Sequence, residues 1–416
     1  MPCGQGVRRI KSISRRGRSS CPGMPPHERK PERRCSATAR MINTAKQYIR
    51  EYLRRVDPVL LICTTVLMVI SLVTIWGAVD NFGQRKLKMQ LAMSVLGFLL
   101  TFVVANLDYH VILDRLWLPM LLFSVGILAL TLVADTTGEN IETSNRSWLN
   151  IPVVNIAIQP SEFVKITFIC TFARHLSLVQ DRINSPRTLL LLGCHALLIV
   201  GLILLSGDLG VALVYIALVL ILLFCAGLHL WYFGGVLLAG AVAFPFLWDH
   251  LDTYQQDRIL VGFNPELDPL DKGWQALMSR QCIENGGLFG VGLRTGGNYE
   301  DLAASHTDFI LATICEKFGF VGGLLVLVTL AVMVLRILWI GRQASHDTGF
   351  YICVGVAAVL IAQTVENVGM CLAVLPVVGL TLPFLSCGGS SVLATYLLVG
   401  MVHSVGSHKP TRRVGE

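Results

Sequence analysis

Ten apolar runs, most of them about twenty residues long, constrain this chain more than any other feature. They fall near 58–79, 87–106, 111–134, 156–175, 188–206, 208–226, 230–249, 307–335, 349–374 and 384–406. A helix of about 20 residues crosses a hydrocarbon core of about 30 Å, and backbone polar groups in lipid must be satisfied inside the segment. The two-residue alternation of a membrane β-barrel is missing from the sequence. Only 15% of residues are charged and the mean hydropathy is +0.62, whereas soluble globules are about one-quarter charged. The expected fold is an all-α polytopic membrane protein of about ten transmembrane helices, forming one domain over 58–406.

Residues 1–57 differ in composition. They hold fifteen of the 34 Lys and Arg, with Pro and Ser clusters. A tail of this kind is drawn to anionic lipid or nucleic acid. The plainer reading, a solvated leader that sets topology or lies ahead of a start at Met41, is preferred, and no nucleic-acid partner is expected. No apolar core lies in the first 30 residues, which excludes a secretory signal peptide. A short tail, 407–416, closes the chain.

Orientation follows from the excess of Lys and Arg on cytoplasmic loops. The N-terminal tail, the turns carrying Arg174, Arg182 and Arg187 and then Arg336 and Arg342, and the tail at Lys409, Arg412 and Arg413 share one side of a ten-span layout. That side is expected to be cytoplasmic, with both termini. Loops 135–155, 250–306 and 375–383 then face outward. Arg85 and Lys86, in a short outer turn, run against the rule.

The stretch from Leu251 to Glu316 is the longest polar segment between apolar runs. Loops of this length are usually functional or disordered, and its mixed charge with Trp274, Phe289 and Tyr299 argues against disorder. Asp268 precedes Pro269 and is biased toward an extended backbone. With Glu266 and Asp271 it forms an acidic group suited to a general base or a divalent cation; an ordinary turn would look similar. His306-Thr307-Asp308 opens the next span, where a capping role is the bland alternative.

Other charged or glycine-rich points are few. Glu162 and Lys165, just after Gln159-Pro160, share one helix face and read equally as a capping salt bridge or as the lining of a polar cavity. Asp208 reads as a helix cap. Cys387-Gly388-Gly389-Ser390-Ser391 permits close backbone approach, or gathers amides for an anion. The cysteines carry no CxxC pair and read as small buried hydrophobes, Cys63, Cys170, Cys194, Cys225, Cys353 and Cys371 within apolar runs and Cys282 in the polar loop.

Four blocks, in order, resemble the SEDS family of shape, elongation, division and sporulation proteins, whose members include RodA, FtsW and SpoVE. They are Trp148 to Lys165 with QPSEFVK, FNPELDPLDKGWQ followed by NGGLFGVGL, HTDFILATICEKFGFVGG, and NVGM followed by LPVVGLTLPFLSCGGSS. The resemblance covers about 57–406 and implies a peptidoglycan glycosyltransferase of the bacterial cytoplasmic membrane. Such an enzyme polymerises lipid II at the outer face for elongation, division or sporulation, extends a lipid-linked glycan and works with a class B penicillin-binding protein. It implies Asp268 as the essential loop aspartate. It also implies Glu162, Lys165, Arg258, Gln275, His306, Asp308, Glu316 and Ser390 as substrate contacts. The pyrophosphate charge of such a substrate needs neutralising, by a divalent cation, Mg or Mn, or by groups such as Arg258 and Lys165. A lipid-linked saccharide flippase or a non-catalytic scaffold of the wall-synthesis complex are the alternative readings. The chain departs from the common pattern at Cys387 for an aromatic, Trp274 for tyrosine, Lys317 for a second acid, and in lacking Gln-Pro before Asp208.

Overall fold

The computed structural model describes residues 56–133, 147–151, 156–249 and 253–408; the two tails and most of the first outer loop lie outside them. Ten long helices coincide with the ten apolar runs. They are α1 (Pro58–Gly77), α2 (Gln84–Ala105), α3 (Tyr109–Val133), α4 (Pro160–Val179), α5 (Pro186–Leu205), α6 (Leu209–Cys225), α7 (Leu230–Trp248), α10 (Ile310–Arg342), α11 (Asp347–Cys371) and α12 (Gly389–Ser407). Two more, α8 (Thr253–Phe263) and α9 (Trp274–Gly286), lie within the long polar segment, which is thus largely helical. Two three-residue strands, Leu149–Ile151 and Ile156–Ile158, pair antiparallel just before α4.

Among the described residues seven helices are long and apolar enough to cross a membrane; Leu209–Cys225 and Leu230–Phe246 are shorter apolar segments. The tenth, α4, carries Glu162, Lys165 and Arg174. The protein is a polytopic, all-helical membrane protein.

Sequence signals fix the helix starts. Pro160 and Pro186 occupy first-turn positions, where their missing N–H is not needed. Asp57 caps α1 by accepting from the N–H of Val59 and Leu60 at 3.1 and 3.2 Å, and Asp208 caps α6 through Val211 at 3.1 Å. Asp57 also receives a two-pronged contact from Arg336 of α10, at 2.7–3.0 Å, while its N–H donates to His403 of α12. These contacts gather the start of α1 and the ends of α10 and α12 at one end of the bundle. The polar segment and the turns after α1, α5 and α11 gather at the other, called here the loop end.

The core is formed by α11 and α12, whose most apolar stretches are 72% and 78% buried, with α4, α6 and α10 around them. Small residues allow close approach, as expected where lipid offers no hydrophobic drive between helices. A Cβ on Gly97 of α2 would lie 2.5 Å from the Tyr396 ring of α12, and one on Gly355 of α11 would lie 2.9 Å from Ile169 of α4. Thr101 adds a hydrogen bond to the Tyr396 carbonyl at 2.8 Å. The expectation that the cysteines are buried fails for Cys194 and Cys225, which are exposed; their apolar helices turn those positions outward from the bundle.

Candidate functional site

Asp268 is positioned by its own turn. Its N–H donates to the Pro265 carbonyl at 3.3 Å, and its carbonyl accepts from the N–H of Gly273 at 2.9 Å. Pro269 favours the extended backbone seen at Asp268, φ −145° and ψ 74°. Gly273 is required here, because a Cβ would lie 2.2 Å from the Pro265 carbonyl oxygen. One carboxylate oxygen accepts a long 3.4 Å contact from the Lys272 N–H, while the Lys272 ammonium turns to Asp257 at 2.8 Å. Among the described residues no cation forms an ion pair with Asp268, whose side chain is partly exposed between the exposed Leu267 and Leu270.

The rest of the polar segment is fastened to the buried start of α10. Glu316 is fully buried. It accepts from the Asn285 amide at 2.7 Å and from the N–H groups of Asn298 and Tyr299 at 2.8 Å each. Lys317 donates to the carbonyls of Leu293 at 2.9 Å and Gly77 at 3.4 Å and sits 4.2 Å over the Tyr299 ring. At Gly319 the helix is broken by a left-handed residue, φ 71°. That break lets the N–H of Phe320 and Val321 reach the carbonyls of Gly287 and Leu288.

A second polar group lies between the helices at the loop end. Glu162 and Lys165 form an ion pair of 2.7 Å with both side chains almost wholly buried. Gln159 donates to Asp208 at 2.7 Å, and its N–H reaches the Ser390 hydroxyl at 3.4 Å. Tyr215 donates to the Ser161 carbonyl at 2.7 Å.

The segment between α11 and α12 joins the two regions. Pro376 fills the space that a Cβ on Gly262 of α8 would take, and Val378 and Leu380 do so for Gly210 of α6. Asn367 of α11 donates to the carbonyls of Asp308 and Leu380 at 2.7 Å each, and Ser386 donates to the Thr307 carbonyl at 2.6 Å. The Cys387 N–H donates to the His306 carbonyl at 2.9 Å. Burial raises the Asp308 carboxyl to about 6. His306, whose ring lies 5.4 Å from Phe82, is pushed down to about 4 by burial and by the Lys86 ammonium.

The sequence-predicted residues therefore divide. Glu162, Lys165 and Ser390 join Asp208 and Gln159 around the starts of α4, α6 and α12. His306 and Asp308 sit against the α11–α12 segment. Gln275 is partly exposed in the first turn of α9, beside Gly273. Glu316 acts inside the protein, saturated by loop donors rather than open to a ligand. Arg258 lies on α8, and its side chain falls outside the described residues. Asn285, Gln159 and Asn367 open three of the blocks that carry the resemblance, NGGLFGVGL, QPSEFVK and NVGM, but none was named as a candidate site residue; their hydrogen-bonding roles appear only in the folded chain. Among the described residues no three His, Cys, Asp or Glu side chains converge as a metal site, so Glu266, Asp268 and Asp271 do not form a cation cage.

Comparison with known proteins adds to this geometry. A family model described as cell cycle proteins FtsW, RodA and SpoVE matches residues 55–411. The chain is 34% identical over 362 residues to a probable peptidoglycan glycosyltransferase FtsW of Trichlorobacter lovleyi, covering 84% of this chain and 92% of that protein. It is 32% identical to the peptidoglycan glycosyltransferase MrdB of Escherichia coli, covering 85% and 94%. A solved structure on the coordination of polymerization and crosslinking by a peptidoglycan synthase complex superposes with a TM-score of 0.72. That match has 29% identity and covers 84% of this chain and 97% of that one.

Proposed function

The chain belongs to the FtsW, RodA and SpoVE family, and on that footing we infer that it is a peptidoglycan glycosyltransferase polymerising lipid II with Asp268 as general base. The observation that carries the residue assignment is the Asp268 carboxylate. It is held on a constrained turn, partly exposed and unpaired among the described residues.

Lipid II is a disaccharide-pentapeptide joined through pyrophosphate to a polyprenyl chain. The chain remains in the bilayer while the sugar reacts at its surface, a requirement met by a helical bundle with a polar segment at one end. Asp268 takes the proton of the acceptor sugar's 4-hydroxyl as that oxygen attacks the donor's anomeric carbon. The bond from that carbon to the pyrophosphate oxygen breaks, and the lipid pyrophosphate departs with the electron pair. A positioned base contributes about 10²–10⁴-fold. Pyrophosphate leaves without being protonated, so one carboxylate suffices where glycosidases use two. A single displacement inverts the anomeric centre, from α-linked donor to β-linked glycan.

The loop end faces away from the cytoplasm in this reading, because Arg182, Arg187 and Arg342 mark the opposite end. No three metal-ligating side chains converge among the described residues, so a Mg or Mn ion would be held by one or two carboxylates together with the substrate's pyrophosphate. Arg258 remains a candidate for the leaving-group charge. Lys165 is less suited, its charge being matched by Glu162. A class B penicillin-binding protein is the partner that would crosslink the strands.

The test is purified protein with labelled lipid II, with and without a cognate class B partner. Glycan strands longer than the disaccharide unit are expected. Lipid II that crosses vesicle membranes without being extended would instead identify a transporter.

A further inference from the structure

Most cations with a described partner in this bundle are matched by a carboxylate. Lys165 pairs with Glu162, Lys272 with Asp257, Arg174 with Asp114, Arg280 with Glu284 and Arg336 with Asp57. Lys317 is buried against carbonyls. Lys86 is different. It lies in the first turn of α2, at the loop end, where its charge opposes the asymmetry of the other loops, and among the described residues no carboxylate pairs with it. Its Nζ lies 3.5 Å from Nδ1 of His306, 220 positions along the chain.

His306 is a neutral partner, since burial and the adjacent ammonium hold it at about 4. A neutral imidazole that accepts at Nδ1 carries its proton on Nε2. The pair therefore holds an ammonium in place without cancelling its charge, and sets a second donor beside it. Both members are tied to the glycine turn before α12. The Cys387 N–H donates to the His306 carbonyl at 2.9 Å, and the Cys387 thiol contacts the Lys86 carbonyl at 3.8 Å. A fixed, uncancelled cation at the loop end of a membrane bundle is suited to an anion that arrives on a lipid. Lysine offers such an anion a compact charge with three donors.

We propose that Lys86, held by His306, binds the pyrophosphate of the polyprenyl-linked substrate. The inference rests on the lipid II polymerase reading above. The same chemistry would also retain the polyprenyl pyrophosphate that the reaction releases. Arg85 and Lys88, exposed on the same turn, contribute only screened, longer-range attraction.

The experiment is equilibrium binding to the purified full-length protein in detergent, using undecaprenyl pyrophosphate, undecaprenyl monophosphate and, in an Asp268→Asn background, lipid II. Lys86→Ala should weaken lipid II binding about 10- to 100-fold, the worth of a charge-assisted contact. Lys88→Ala should change it less than about twofold, as a screened surface charge does. An equal loss for undecaprenyl pyrophosphate, with a smaller loss for the monophosphate, would extend the site to the released product. A loss confined to lipid II would restrict it to the substrate. Lys86→Arg, which keeps the charge, should recover most of the affinity and guards against a misfolded alanine variant. Unchanged lipid II binding in a folded Lys86→Ala protein would overturn the assignment, as would equal losses in Lys86→Ala and Lys88→Ala. Binding is read without turnover, so a failure here is separable from a failure to polymerise.

Discussion

Glu316 holds Tyr299 by its backbone: a carboxylate fully buried at the start of α10 accepts the Tyr299 N–H at 2.8 Å, seventeen residues away, and the Asn298 N–H at the same distance. The polar segment is in this way anchored to the bundle from within. Glu316→Gln replaces one acceptor oxygen by a donor facing other donors. Each charge-assisted hydrogen bond lost is worth about 1.5–3 kcal/mol. The variant should melt several degrees lower, with faster proteolysis between 287 and 305. Unchanged melting and proteolysis would remove Glu316 from this role.

Gly319 should tolerate no side chain. Its φ is 71°, and a Cβ would lie 2.3 Å from the Leu288 carbonyl oxygen, so Gly319→Ala must shift the α10 break and the loop docked on it. Gly240→Ala on α7, with nothing within 4 Å of the new carbon, is the matched control. Thermal stability in detergent should fall for the first and stay nearly constant for the second.

Both features show where sequence reading stops. The ten spans were legible because apolar runs of bilayer length have few other uses, and Asp208 was legible as a cap because its turn is short. The helices α8 and α9 were hidden inside a segment read only as a long polar loop. The break at Gly319 is set by a contact with Leu288, 31 residues earlier, which no local pattern encodes. For Glu162 and Lys165 the spacing supplied the pair but not its burial. Lys86 was visible as an exception to the charge rule, and its partner His306 appears only in the folded chain.

The Glu162–Lys165 pair should behave as a buried unit. Glu162→Gln leaves a buried ammonium without a counter-charge, a loss of about 3–5 kcal/mol. The double variant Glu162→Gln, Lys165→Met removes both charges and should be more stable than that single variant. A double-mutant cycle of melting temperatures reads the coupling; additive losses would show that the 2.7 Å contact does not couple the two sites.

Asp308 should make stability depend on pH. Burial lifts its carboxyl from 3.8 to about 6, so the folded protein binds the proton more tightly than the unfolded chain. This group's contribution is most favourable below about pH 4, declines as pH rises through 6, and is fully lost above it. The rise corresponds to at most about 3 kcal/mol. Asp308→Asn should therefore raise the melting temperature relative to wild type at pH 7.5 and do so by less at pH 5. An advantage independent of pH would contradict the assignment.

The most direct measurement is the polymerisation rate of purified Asp268→Asn on labelled lipid II, beside wild type, with the melting temperature of each recorded. Among the described residues, Asp268 makes two backbone hydrogen bonds and one long side-chain contact, all within its own turn, so the variant should fold as wild type does. Glycan synthesis should fall by about 10²–10⁴-fold, the share a positioned base supplies. Strands made at the wild-type rate by a folded Asp268→Asn protein would show that another group takes the proton.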